Sequence, residues 1–277
     1  MREVKYWKAF NEAICEEMRK DPSIIYMAED ARGAVGGPFA MAKGLEDEFG
    51  GNRVFDTPDS EAGFVGAAIG AALTGMRPIV DISFSDFMLV AIDQIVNHMA
   101  KIRYMTGENF TKMPIVIHTM SGGGMRAGTQ HSQCLEAWYV NVPGLKLVAP
   151  SNGYDLKGIM KSAIRDDDPV IVWLHKAMLR TKVNLPDEEY LIPLGKADIK
   201  KEGSDVTVVG ISKTTSGSTN ALASRARYAA HRSSGWSLGS VAHIFVPIAS
   251  QFDHRKVKLS APGTLIVRIL GQRLGLS

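Results

Sequence analysis

The sequence predicts an α/β protein with a mostly parallel sheet covered by helices on both faces. Two observations carry that reading. Short runs rich in Val and Ile recur at 24–28, 53–55, 78–84, 114–120, 145–149, 169–174 and 206–211. Between most of them lie stretches of helical period, at 61–75, 86–105, 131–140 and 153–166. Buried strands alternating with helices of ten to twenty residues are the pattern of βαβ units.

Size and composition bound the rest. The 277 residues suit one large or two smaller domains, and 45% hydrophobic with 22% charged residues is ordinary for a globular protein. The longest nearly uncharged run, Ala62 to Met76, is too short and too Gly-rich for a membrane span. The N-terminus MREVKYWKAF has no apolar signal core, so a cytoplasmic location is expected. Cys15 and Cys134, far apart and outside any CxxC pair, make neither a disulfide framework nor a zinc site. The net charge of +3 divides into −4 for residues 1–213 and +7 for 214–277. The basic residues of the second part are scattered among ten serines without aromatic interleaving, which does not read as a nucleic-acid surface.

Taken in order, residues 4–20 place Tyr6, Trp7, Phe10, Ala13, Ile14 and Met18 at helical spacing, and Asp21-Pro22 ends that helix. Ile24 to Ala28 follows as a strand ending in Glu29-Asp30, acids that are either a solvated strand end or at the place where α/β proteins put function. A Gly-rich link, 33–38, leads to a helix across Ala40 to Phe49. After Arg53 to Phe55 comes the turn Thr57-Pro58-Asp59-Ser60, where Asp59 or Ser60 is placed to cap a helix starting near Glu61. That helix is almost wholly Gly, Ala, Val, Ile, Leu and Phe up to Arg77, so Glu61 is a single acid at the mouth of a buried segment. Pattern alone favours a first-turn acid in the helix dipole over a carboxyl that exchanges a proton with a ligand. In the apolar stretch from Asp86 to Tyr104, Phe87 is a core residue or a stacking platform.

The densest polar stretch, His118 to Cys134, lies between a strand and a helix and is read as a loop at a strand's carboxyl end. Its Gly122, Gly124 and Ala127 mimic a dinucleotide fingerprint, but the next strand, 145–150, lacks the required terminal acid. His131 is a capping residue or a proton carrier. Gly235 to Gly239 matches GxSxG without a strand before its serine, and is a chance match. Asp166-Asp167-Asp168-Pro169 is a solvated turn or a cluster of oxygen donors for a hard cation.

Assembled, these stretches resemble the beta subunit of the thiamine-diphosphate-dependent decarboxylating component of 2-oxo acid and acetoin dehydrogenase complexes. The resemblance rests on Ala28-Glu29-Asp30, VFDTPDSEAGFVGAAIGAALTGMRPI, DFMLVAIDQIVNHMAKIRYM, RAGTQHSQCLEAWYVNVPGLKLVAPSN, SAIRDDDPVI and IPLGKADI in that order, and covers residues 3 to about 213. It implies a transketolase-like pyrimidine-binding domain at 1–195 and part of a second α/β domain at 196–277. It also assigns roles. Glu61 corresponds to the glutamate that hydrogen-bonds the cofactor's aminopyrimidine and so promotes loss of the thiazolium C2 proton. Phe87 takes the place of an aromatic packed on the pyrimidine, and Glu29 that of an acid near the cofactor. His131 matches a histidine that handles protons on the bound intermediate or assists acyl transfer to lipoamide. A structural potassium site is implied at Ile115, Ala163, Ile164, Asp166 and Asp168. Since the Gly-Asp-Gly motif that holds Mg²⁺ and diphosphate on the alpha subunit does not occur here, the resemblance implies an α₂β₂ heterotetramer working with a lipoyl acyltransferase core.

From about residue 214 the chain departs from the family, turning Ser- and Arg-rich where an Ala-, Leu- and Glu-rich helix belongs. The expectation is a shifted reading frame or similar sequence error near residue 213. Two other functions stay open at this point: a transketolase- or deoxyxylulose-phosphate synthase-like enzyme, and a defective, non-catalytic subunit. The stretch IPLGKADIKKEGSDVT leans toward pyruvate or acetoin as substrate.

Overall fold

A computed structural model of the chain describes residues 1–123, 125–201, 206–213 and 241–245. The strands are β1 (Arg2–Lys5), β2 (Ile24–Ala28), β3 (Val54–Asp56), β4 (Arg77–Ile82), β5 (Val116–Ser121), β6 (Lys146–Val148), β7 (Val170–His175), β8 (Lys182–Leu185), β9 (Asp198–Lys201), β10 (Val206–Val209) and β11 (Val241–Phe245). The α-helices are α1 (Tyr6–Lys20), α2 (Leu45–Phe49), α3 (Glu61–Leu73), α4 (Ile102–Met105), α5 (Glu136–Val140) and α6 (Gly153–Arg165). Six strands form one sheet in the order β3-β2-β4-β5-β7-β6, every neighbouring pair parallel.

The twofold alternation of side chains splits this sheet between two cores. Ile24, Tyr26, Ile79, Val116, Val170 and Val172 pack against Tyr6, Phe10, Ile14 and Met18 of α1 and Leu156, Ile159 and Met160 of α6. Ile25, Met27, Val80, Ile82, Ile117 and Trp173 face Phe64, Val65, Ala68 and Ile69 of α3, together with Ile95 and Tyr139. Every strand of the sheet has residues packed into both cores, which is why it reads as mostly apolar sequence. Across α1 and α6, Lys157 and Lys161 are buried yet paired, their ammonium groups 2.6 and 2.8 Å from the two oxygens of Glu16. All parallel strands end at one edge of the sheet, and the candidate site is built there.

Four local expectations are corrected. The N-terminal helix starts at Tyr6, because residues 2–5 instead form β1, antiparallel to β8. Residues 40–49 are helical only from Leu45, since the chain before it turns through positive φ at Gly36, Gly37, Ala40 and Gly44. The stretch 86–105 is broken into a 3₁₀ turn (Ser85–Leu89), a π-helical segment (Gln94–Met99) and α4. The apolar run Phe87 to Ile92 has no single helical face to bury, so Met88 and Ala91 are buried while Val90 is left exposed, and Ile95 and Met99 are the buried residues of the π segment. In 131–140 only α5 is helical, after a 3₁₀ turn at Thr129–His131.

Beyond the main sheet, β11 pairs parallel with β10 and antiparallel with β9. Residues 214–240 and 246–277 lie outside the described residues, and with them most of the segment expected to be aberrant.

Candidate active site

Glu61 is the first residue of α3, three turns of small and apolar residues that let the helix lie against the sheet. Its side chain is buried, 8% exposed, and accepts no hydrogen bond and forms no ion pair among the described residues. Ser60 stands at the N-cap position but gives no side-chain cap, unlike Asn152 at the start of α6, which accepts from the Asp155 amide at 2.8 Å. The expected cap is therefore absent, and the helix opens on the Glu61 carboxyl instead.

Glu29 follows β2 and is half-buried beside this helix start. Burial first, then the carboxylates of Glu61, Asp59, Asp81 and Asp30, push its pKa up from 4.5 to about 7. A carboxyl that is part-protonated near neutral pH is thus created by crowding like charges at one strand edge. Asp81 comes from β4 and is itself held from below: its Oδ1 accepts from Ser83 Oγ at 2.5 Å, and Tyr26 Oη donates to its Oδ2 at 3.4 Å. Tyr26 Oη also lies 3.0 Å from His118 Nε2. Burial lowers the pKa of His118, against the pull of Asp81, and keeps this imidazole neutral.

On the other side of the edge, β4 leads into the 3₁₀ turn carrying Phe87, and the long loop after β5 carries His131. The two rings meet edge to face, centroids 5.2 Å apart at 87°, and Phe84 makes a second such contact with His131 at 5.2 Å and 68°. The histidine does not cap α5, which begins five residues later at Glu136. Phe87 is half-buried and touches both cores, so it bridges the sheet edge and the histidine loop.

The structure thus brings Glu29, Glu61, Phe87 and His131 to the same strand edge, each from a different βα connection. It adds Asp81, Phe84, Asp86 and Lys176, which sequence reading missed. The one available signal was a charged residue inside or just after an apolar run, as in PIVDIS and VWLHK.

The five residues assigned to potassium cluster at the opposite end of the sheet, with their oxygens engaged. Lys146 Nζ lies 2.8 and 2.7 Å from the carboxylate oxygens of Asp166 and 2.9 Å from Asp168, which Arg103 also contacts. Arg77 donates to the Ile164 carbonyl at 2.8 and 3.0 Å and to the Asp166 carbonyl at 2.6 Å. The carbonyl of Ile115 accepts from Val170 N–H at 2.9 Å, and that of Ala163 from Asp166 N–H at 3.2 Å. Protein cations already neutralise the donor set, which does not fit a further bound cation. Among the described residues no group of three or more His, Cys, Asp or Glu is arranged to hold a metal.

Comparison with known proteins agrees with this architecture. The family model "Transketolase, pyrimidine binding domain" matches residues 2–182. The chain is 45% identical over 226 residues to acetoin:2,6-dichlorophenolindophenol oxidoreductase subunit beta of Bacillus subtilis (strain 168), covering 78% of this chain and 66% of that protein. It is 43% identical over 219 residues to the mitochondrial pyruvate dehydrogenase E1 component subunit beta of Dictyostelium discoideum, covering 78% of this chain and 61% of the relative. The chain therefore spans less than two thirds of the length of these relatives. Among solved structures, a split-gene transketolase described as an inactive beta4 tetramer superimposes with a TM-score of 0.66 at 19% identity, covering 87% of this chain and 71% of the other. With its matched region extending over most of the described sheet, the chain belongs to the transketolase pyrimidine-binding domain family.

Proposed function

We propose that this chain is the beta subunit of a thiamine-diphosphate-dependent 2-oxo acid or acetoin dehydrogenase, acting with an alpha subunit in an α₂β₂ assembly. The observation that carries the reading is the buried Glu61 carboxyl without a protein partner, at the mouth of an apolar helix. Its oxygens open at the helix mouth with no protein donor among the described residues, and an aminopyrimidine ring offers one. The residues present fit that group. Glu61 would share a proton with the ring nitrogen, Phe87 would pack on the ring, and Glu29 would stand behind as a carboxyl able to take or release a proton near neutral pH.

When bound, thiamine diphosphate supplies the nucleophilic carbon and the electron sink for cleaving the bond beside a carbonyl. This chain's own part is to orient the pyrimidine, exclude water through Phe84 and Phe87, and present His131 as the proton-handling group of the far wall. Mg²⁺ and the diphosphate fall to the alpha subunit in this reading, since no Gly-Asp-Gly motif occurs in the sequence. Potassium is left out of this reading, because Lys146 and Arg77 occupy the oxygens of Asp166, Asp168 and Ile164 among those assigned to that ion.

The substrate class is a small 2-oxo acid, pyruvate first, or acetoin. The names of the two relatives above support that choice, and the acyl product would pass to lipoamide on an acyltransferase core. Residues 1–195 are the pyrimidine-binding domain in this reading, and the setting is cytoplasmic. No helix among the described residues is long and apolar enough to cross a membrane. Co-expression with a cognate alpha subunit tests the proposal. Thiamine-dependent decarboxylation or acetoin cleavage is expected only in the mixture. Activity of this chain alone, or transketolase activity of the mixture, would overturn it.

A further inference from the structure

Lys176 begins the short 3₁₀ turn that follows β7, and its side chain is 3% exposed. No carboxylate lies within ion-pair distance of its ammonium among the described residues. The group instead donates to the backbone carbonyl of His131 and sits 4.4 Å from the centroid of the Phe84 ring. Burial lowers its pKa, against the pull of Asp86 and Cys134. A buried cation without a paired anion is expensive, and a methionine would fill the same space at no such cost.

The same loop is held from its other side. Asp86 is buried, and its Oδ1 accepts from the Gln133 backbone N–H at 3.3 Å and from Gln133 Nε2 at 2.8 Å. Its Oδ2 has no hydrogen-bond partner. Ser85 Oγ donates to the Gln133 carbonyl at 3.3 Å. Residues 131–133 close a loop that turns through positive φ at Gly122, Arg126 and Gly128. They are thus fastened to the ends of β4 and β7, the two strands flanking the one from which the loop departs.

The geometry points to Lys176 as the positioning residue of His131, with Asp86 as its counterpart across the loop: the lysine fixes the histidine through its backbone carbonyl and through the Phe84 ring against which the imidazole packs. This rests on the role given to His131 in the proposed function, but its primary test does not. Carbethoxylation of the full chain, mapped by peptide mass spectrometry, reads the reactivity of His131 against exposed His98. Lys176→Met is expected to raise the His131 rate several-fold, Asp86→Ala to raise it as well, and Lys176→Arg to restore it. Equal rates in wild type and both loosened variants overturn the clamp. Should Lys176→Met fail to fold, Asp86→Ala and Lys176→Arg decide the matter on the same readout.

In the reconstituted complex, Lys176→Met should lower kcat about tenfold or more with little change in KM for the 2-oxo substrate. A loss confined to KM contradicts a positioning role. If His131 reactivity responds while the complex shows no activity on 2-oxo acids or acetoin, the clamp stands and the proposed function falls. If the complex is active and reactivity is unmoved, the reverse holds.

Discussion

Replacing Glu29 with glutamine removes the carboxyl that four neighbouring acids and partial burial hold near a pKa of about 7 instead of 4.5. Such a group keeps its proton longer in the native state than in the unfolded chain. Its contribution is therefore most favourable below pH 4.5 and is lost as pH rises toward 7. The full displacement corresponds to at most about 3.4 kcal/mol, and because Glu29 is half-exposed, solvent screening leaves about 1–2 kcal/mol. Glu29→Gln should consequently be about as stable as wild type at pH 4 and about 1–2 kcal/mol more stable at pH 8. Urea unfolding of the full chain across that range measures the difference, and carboxyl-labelled NMR follows Glu29 directly. Glu61→Gln, by deleting the foremost of the neighbouring charges, should move the Glu29 midpoint down. A midpoint near 4.5 in wild type, or an identical pH slope in Glu29→Gln, would refute the crowding of charge at this strand edge.

Two further outcomes follow from the same structure. The unfolding midpoint should be the same in potassium and sodium chloride, because Lys146 and Arg77 hold the Asp166, Asp168 and Ile164 oxygens; stabilisation specific to potassium would show that the ion displaces them. Gly144→Ala should cost about 2–4 kcal/mol in urea unfolding, since φ is +95° and the added Cβ would lie 2.0 Å from the Ala100 carbonyl oxygen. A variant as stable as wild type would mean that Gly144 does not pack on the end of the π-helical segment.

The main sheet was legible because its strands are buried on both faces and show as Val- and Ile-rich runs, so β2, β4, β5 and β7 fall close to where the pattern places them. The 86–105 stretch was not, because an apolar run without a face carries no period from which a π turn can be read. β1 escaped for the opposite reason: REVK has no apolar alternation, and its partner β8 lies far along the chain. At the site, Glu61 stood out as one acid against an apolar helix, but pattern preferred the helix dipole, and only motif order pointed to a cofactor. Lys176 and Asp86 were invisible as a pair, since their meeting depends on β4 and β7 flanking β5 in the sheet.

The central claim is that Glu61 is the proton partner of a bound aminopyrimidine. Its most direct measurement is the exchange rate of the thiazolium C2 proton, followed by NMR in the reconstituted complex of this chain with the alpha subunit proposed above. Wild type should exchange rapidly, and Glu61→Gln should slow exchange by about 100-fold or more with the fold intact. Wild-type exchange in a folded Glu61→Gln complex would contradict the account.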